Sequence, residues 1–352
     1  MTEPTDPLST IPPPRPGTEP LRRRGLVLGA GAALGGAWAL GVLCALQDVE
    51  GYDPAEQDVI VGTSAGSVLA ALIACGVPPR RLAERLAGGA AEVEGTEPVN
   101  ALDVDDQVHR TLGHVPLPIP LPGNLALVAR SLGRPGRHTL MTAAAALAPR
   151  GRGSLAPVGE LVAEFQPAGG WPVRPRTWVV AMDFDSGRRT VFGRPGAPPA
   201  SLPVAVMASC AAPGYFPPVP VAGRRYIDGG GVSVTNADVL VREHLDEVLV
   251  LAPMAWSGSD PRWGRLARLD GGLRRYATGR LEREVRRLEE AGSRVRVVVP
   301  TPEDLIAMGP NVMNPERRTA VFETALRTTS ARLRQPRAVR YPVKPPTVAT
   351  SA

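Results

Sequence analysis

The chain has 352 residues, 43% hydrophobic and 21% charged, enough for one large globular domain or two ordinary ones with a sizeable core. Its three cysteines, Cys44, Cys75 and Cys210, show no CxxC spacing and sit in apolar stretches, which excludes a disulfide framework and a cysteine-rich zinc site. The formal charge is +6, yet residues 26–241 carry 16 Arg against 18 acids, while residues 242–352 carry 19 Arg and one Lys against 13 acids. The basic excess therefore belongs to the last third. With aromatics at 4% and no nucleic-acid-binding motif, a nucleic-acid partner is not expected.

Residues 1–23 form a proline-rich leader without apolar periodicity. Residues 25–46 carry no charge and follow three arginines, like a signal or spanning segment. The glycines clustered in the middle of that stretch argue instead for a strand (24–28), a glycine turn and a helix to about Val49. Residues 58–61 then read as a strand and 64–74 and 78–86 as helices.

Residues 88–155 read as a cap insertion. It holds helical pieces at 103–112, 123–132 and 139–148 and an extended proline-alternating run at 116–122. Its apolar residues, among them Leu117, Leu125, Leu127 and Val128, suit either an acyl-chain tunnel or core packing. Further strands are expected at 177–182, 189–192, 224–227, 247–251 and 294–299. Helices are expected at 203–211, 236–244 (with Asn236 near its cap), 264–291 and 315–333.

Strands alternating with helices predict an α/β fold, a central mostly parallel sheet flanked by helices. The domain reading is a catalytic unit over 24–252, an arginine-rich extension over 253–335 packed on it, and a tail over 336–352.

Three motifs can carry chemistry. Gly62-Thr63-Ser64-Ala65-Gly66 lies between a strand and a helix, as a nucleophile elbow requires. Gly29, Gly31, Ala32 and Gly35 belong to a small-residue turn that exposes backbone amides at a helix start, as an oxyanion or a phosphate needs. A dinucleotide fingerprint would need a glycine where Leu34 stands. Asp228-Gly229-Gly230 follows a strand, where an aspartate can accept a serine proton.

In this order, together with the segment 208–218 (Ala-Ser-Cys-Ala-Ala-Pro-Gly-Tyr-Phe-Pro-Pro), these motifs resemble the patatin-like phospholipases, a family of lipid acyl hydrolases. The resemblance spans roughly residues 24–252. It implies a patatin-like variant of the α/β-hydrolase architecture and a Ser64–Asp228 dyad working through an acyl-enzyme, with the Gly31 and Ala32 amides as oxyanion donors. It also implies a phospholipid or other acyl ester as substrate and neither cofactor nor metal. Ala30 and Ala32 depart from the family's glycines, and Leu34 from its arginine.

Two other readings compete. A Ser–His–Asp hydrolase could use Ser64, Asp183 or Asp185, and His244 in that chain order, although His244 would then end a helix rather than follow a strand. A catalytically weak acyl-lipid-binding protein would explain the altered glycine turn, against which Ser64 and Asp228 are both retained. The arginines of 264–291 fit a solvated helix face or docking on an anionic membrane. The location expected is cytoplasmic, with peripheral contact at the inner face of the membrane.

Overall fold

The computed structural model describes residues 22–86, 123–133, 140–168, 170–256 and 265–334. The predicted pieces at 103–112 and 116–122 lie outside them. Eight strands form one sheet: β1 (Arg24–Leu28), β2 (Val59–Thr63), β3 (Arg176–Asp183), β4 (Arg189–Phe192), β5 (Val219–Val221), β6 (Arg224–Asp228), β7 (Glu247–Leu251) and β8 (Arg294–Val298). Their order is β5-β6-β3-β2-β1-β7-β8, with β4 paired to β3. The run β3-β2-β1-β7-β8 is parallel, and β4, β5 and β6 add antiparallel pairs. This is the α/β architecture predicted.

The parallel strands are apolar on both faces because both faces are covered. Leu26, Leu28 and Ile60 enter one core and Val27, Val59 and Val61 the other. The first core is roofed by α1 (Ala32–Glu50), α2 (Ala65–Ala74), α3 (Pro79–Leu86), α6 (Ala156–Phe165), α9 (Pro302–Met308) and α10 (Arg318–Leu333). On that face α7 (Leu202–Cys210) packs beside α2 and α6. The opposite face carries α8 (Arg265–Glu290). Two short helices, α4 (Leu125–Gly133) and α5 (Leu140–Leu147), stand apart over Met182, Phe184 and Ile227.

Among the described residues α1 is the one helix long and apolar enough to cross a membrane. Its residues from Leu34 to Leu46 are buried, and α10 lies against Gly41 so closely that a Cβ there would sit 2.6 Å from the Phe322 carbonyl oxygen. That is the packing of a core helix.

Chain order sets the position of the site. The chain builds outward from β1 through β2 and β3, then returns to the other side of β1 to add β7 and β8. In such a sheet a crevice opens at the carboxyl ends of the strands where the direction reverses, here between β1 and β7.

Candidate active site

Ser64 occupies the turn between β2 and α2 with φ 55° and ψ −130°, a left-handed conformation that costs a non-glycine residue about 1–3 kcal/mol. Four contacts hold it. The Ser64 amide donates to Ser209 Oγ at 2.9 Å, and Ser209 Oγ donates to the Val180 carbonyl at 2.6 Å. The amide and hydroxyl of Ser67 both donate to the Ser64 carbonyl at 2.7 Å. The flanking glycines have a steric reason. A Cβ on Gly66 would collide with the Leu28 carbonyl, and one on Gly62 with the Ser67 backbone. The spacing Gly-x-Ser-x-Gly is thus what this turn needs in order to press against the end of β1.

Register brings Asp228 level with Ser64. Thr63 pairs with Val180, and Asp228 pairs with Ala181 on the far side of β3. The Asp228 carboxylate accepts a hydrogen bond from the Gly230 amide at 2.7 Å and lies near enough to the Ser64 side chain for that hydroxyl to favour its ionised form. Both residues are less than one-tenth exposed. Burial pushes the Asp228 carboxyl up to about 6, outweighing the Ser64 side chain and the Gly230 amide, which pull it down. Among the described residues no cation contributes to the shift. Gly229 is fixed by contact, since a Cβ there would strike the Val180 carbonyl.

The glycine turn lies at the crevice between β1 and β7. The Gly29 amide donates to the Leu251 carbonyl and the Ala30 amide to the Val234 carbonyl, at 3.0 and 2.7 Å. Gly31 caps α1, and a Cβ on it would sit 2.7 Å from Gly35 Cα. Ala32, with φ 52°, starts the helix. The Leu34 amide is taken by the Val312 carbonyl at 3.1 Å. The amides of Gly31, Ala32 and Ala33 have no acceptor among the described residues, so the positive end of α1 is free at this point.

Ala32, Ala33 and Ser64 line one cavity of about 150 Å³, walled almost wholly by apolar side chains of α1, α2, α3 and α6 and by Phe216 and Met313. Of the apolar residues of the cap segment, Leu127 and Val128 pack in the small core under α4 and α5, the second of the two readings above, and Leu125 is exposed; none of the three lines the cavity. Leu117, Ile119 and Leu121 lie outside the described residues.

Two residues that the sequence reading did not single out hold the site together. Ser209, inside the quoted segment 208–218, pins the strained serine. Asn236 was expected to cap a helix over 236–244, but the structure has only a short 3-10 turn there (Ala237–Leu240), and Asn236 is a buried left-handed residue with φ 54°. Its Nδ2 donates to Thr63 Oγ1 (3.1 Å), the Ser233 carbonyl (2.5 Å) and the Gly229 carbonyl (3.4 Å), bridging the elbow to the aspartate turn. Asparagine is one of the few residues that tolerates this conformation, and its position just beyond Asp-Gly-Gly was the available signal. On either side of Asn236, the Thr235 hydroxyl and the Ala237 amide donate to the buried Glu284 carboxylate of α8, at 2.6 and 2.9 Å.

His244 is exposed and precedes β7, at the opposite edge of the sheet from Ser64, so it cannot complete a triad. The other three histidines, His109, His114 and His138, lie outside the described residues. Asp183 accepts from the Asp185 and Ser186 amides and pairs with Arg224 at 3.0 Å; it shapes a turn. Among the described residues no three His, Cys, Asp or Glu side chains gather as a metal site would need.

Residues 26–241 match the patatin-like phospholipase family. Two solved structures are similar to the chain at low identity. VipD from Legionella pneumophila is 18% identical with a TM-score of 0.37, over 89% of this chain and 67% of that one. The type III effector protein ExoU is 18% identical with a TM-score of 0.34, over 89% of this chain and 53% of that one. The chain thus spans about two thirds of the first and half of the second. No curated protein sequence matches. The chain belongs to the patatin-like phospholipase family, and with that membership comes the class of activity, hydrolysis of lipid esters.

Proposed function

We propose that the protein cleaves carboxylic ester bonds of phospholipids or related acyl lipids with Ser64 as nucleophile and Asp228 as its base. The observation that carries this reading is the strand register that sets the buried Asp228 carboxylate level with the strained Ser64 across β3, where burial has raised its affinity for a proton. An ordinary carboxylate is a weak base toward an alcohol; a desolvated one is a better match. As Ser64 Oγ attacks the ester carbonyl, its proton passes to Asp228. The carbonyl oxygen becomes an anion that the free amides at the start of α1, those of Gly31 and Ala32 with Ala33 adjoining, are placed to stabilise at about 3 kcal/mol per donor. The protonated Asp228 then donates to the leaving alcohol. It regains a proton from the water that hydrolyses the acyl-enzyme.

A fluorophosphonate probe should label the wild type at Ser64, and Ser64→Ala should lose both labelling and lipid hydrolysis. Labelling elsewhere, or hydrolysis that survives in Ser64→Ala, would overturn the assignment. We extend the reading to peripheral contact with an anionic membrane, tested by co-sedimentation with vesicles with and without anionic lipid. Binding that is indifferent to both lipid charge and salt refutes the extension.

A further inference from the structure

Among the described residues that line the cavity beside Ser64, Arg85 is the one charged group. The cavity walls on α1 and α2 reach Leu40 and Leu72. Each lies eight positions beyond Ala32 or Ser64, which is about 12 Å of helix at about 1.5 Å per residue. Arg85 comes from α3, and its guanidinium, on a side chain 33% exposed, lies 3.3 Å from the Glu164 carboxylate of α6 and 4.9 Å from the centre of the Phe165 ring. Along α6 the lining residues Val158 and Leu161 lead toward Glu164. The cavity thus joins the serine, an apolar wall and one guanidinium held by a carboxylate and an aromatic face.

We propose that the Arg85–Glu164 pair on Phe165 is the floor of the acyl site and makes this enzyme selective for medium-length acyl esters. A zigzag hydrocarbon chain advances about 1.25 Å per carbon, so about ten carbons span the wall from Ser64 to Leu72. Each methylene up to that length leaves water for an apolar wall and raises kcat/KM several-fold. The next one meets a charged group and must either push the guanidinium off Glu164 and Phe165 or fold back. Arg85 and Glu164 act on the chain end and take no part in the reacting atoms.

The inference rests on Ser64 as the nucleophile, and its test separates the two. The probe is a series of p-nitrophenyl esters of about 4 to 16 carbons, assayed below their micellar concentrations. Wild type should peak near 8–10 carbons and fall at least about tenfold by 16. Arg85→Ala opens the floor, and the 16-to-10-carbon ratio of kcat/KM should rise at least about tenfold. Val68→Phe, one helical turn from Ser64, fills the near part of the cavity and should move the peak to about 4 carbons. This second variant reads the same geometry if the first is poorly folded in a thermal melt. A wild-type profile flat to 16 carbons, or ratios unmoved in both variants, overturns the floor. Hydrolysis of the whole series by Ser64→Ala would instead overturn the nucleophile, whatever the chain-length profile.

Discussion

The two edges of the parallel sheet are built from different chemistry, although four of its five strands are only five residues long, about 16 Å. At the edge where the strands begin, opposite charges meet in solvent. Arg22, Arg24 and Arg294 converge on Glu247, Arg296 forks onto Glu50 at 2.6 and 2.9 Å, and Arg176 pairs with Glu243. At the edge where they end, Ala32, Ser64 and Asn236 have positive φ, and Asp228 is buried with no cation beside it among the described residues. The first edge spends its charge in ion pairs. The second stores strain and keeps the Asp228 carboxylate protonated to a higher pH, the two properties on which the proposed ester chemistry draws. The net charge of +6 describes the first kind of surface and says little about the second.

Substitutions can break this contrast, and the largest effect should come from Asp228. Asp228→Asn should lower kcat by about 10³-fold or more. It should also raise thermal stability above pH 6. The Asp228 carboxyl titrates near 6 in the folded chain and near 3.8 in an ordinary setting, so the wild type loses stability as pH climbs between those values. The loss comes to about 3 kcal/mol. Melting curves at pH 4 and pH 8 check the sign: the variant should gain on the wild type only at the higher pH. In the same window, wild-type kcat/KM should climb about tenfold per unit below pH 6 and level off above it, since the ionised carboxylate is the proposed base.

A smaller effect is expected from the groups that hold the strain. Ser209→Ala strands the Ser64 amide, and Asn236→Ala unties Thr63 from Gly229. Each should cost about 1–3 kcal/mol in urea unfolding and lower kcat more than it raises KM. The smallest effect belongs to the opposite edge. Arg22→Ala or Glu247→Gln should shift stability by about 1 kcal/mol or less and leave turnover at the wild-type value. A larger loss of activity from either would mean that the edges are coupled.

The same contrast explains what was legible in the sequence. The strands and the glycines could be read because local pattern and hard contact dictate them. Gly62, Gly66 and Gly229 are each forced by a backbone neighbour, and Ser64 and Asp228 stand next to those glycines. Asn236 was misread as a helix cap because its partners, Thr63 and Gly229, are brought to it by sheet register rather than by sequence proximity. The cavity beside Ser64 was not legible for a similar reason. Its walls come from separate helices, α1, α2, α3, α6 and, through Cys210, α7, and α6, which provides Leu155's neighbours Val158 and Leu161, was not among the predicted elements. Helix α9 and strand β5 were likewise not predicted, being too short for their periodicity to declare them.

The bond from the Leu34 amide to the Val312 carbonyl reaches from the family-matched part of the chain to a loop about 70 residues beyond its end. The neighbouring Met313 lines the cavity at Ser64. A protease that cut this loop would leave every sheet hydrogen bond in place while loosening the start of α1, where the free amides lie. Such a cleavage would be an irreversible brake on the enzyme, the mirror image of zymogen activation, and it lies outside the segment by which the family is recognised.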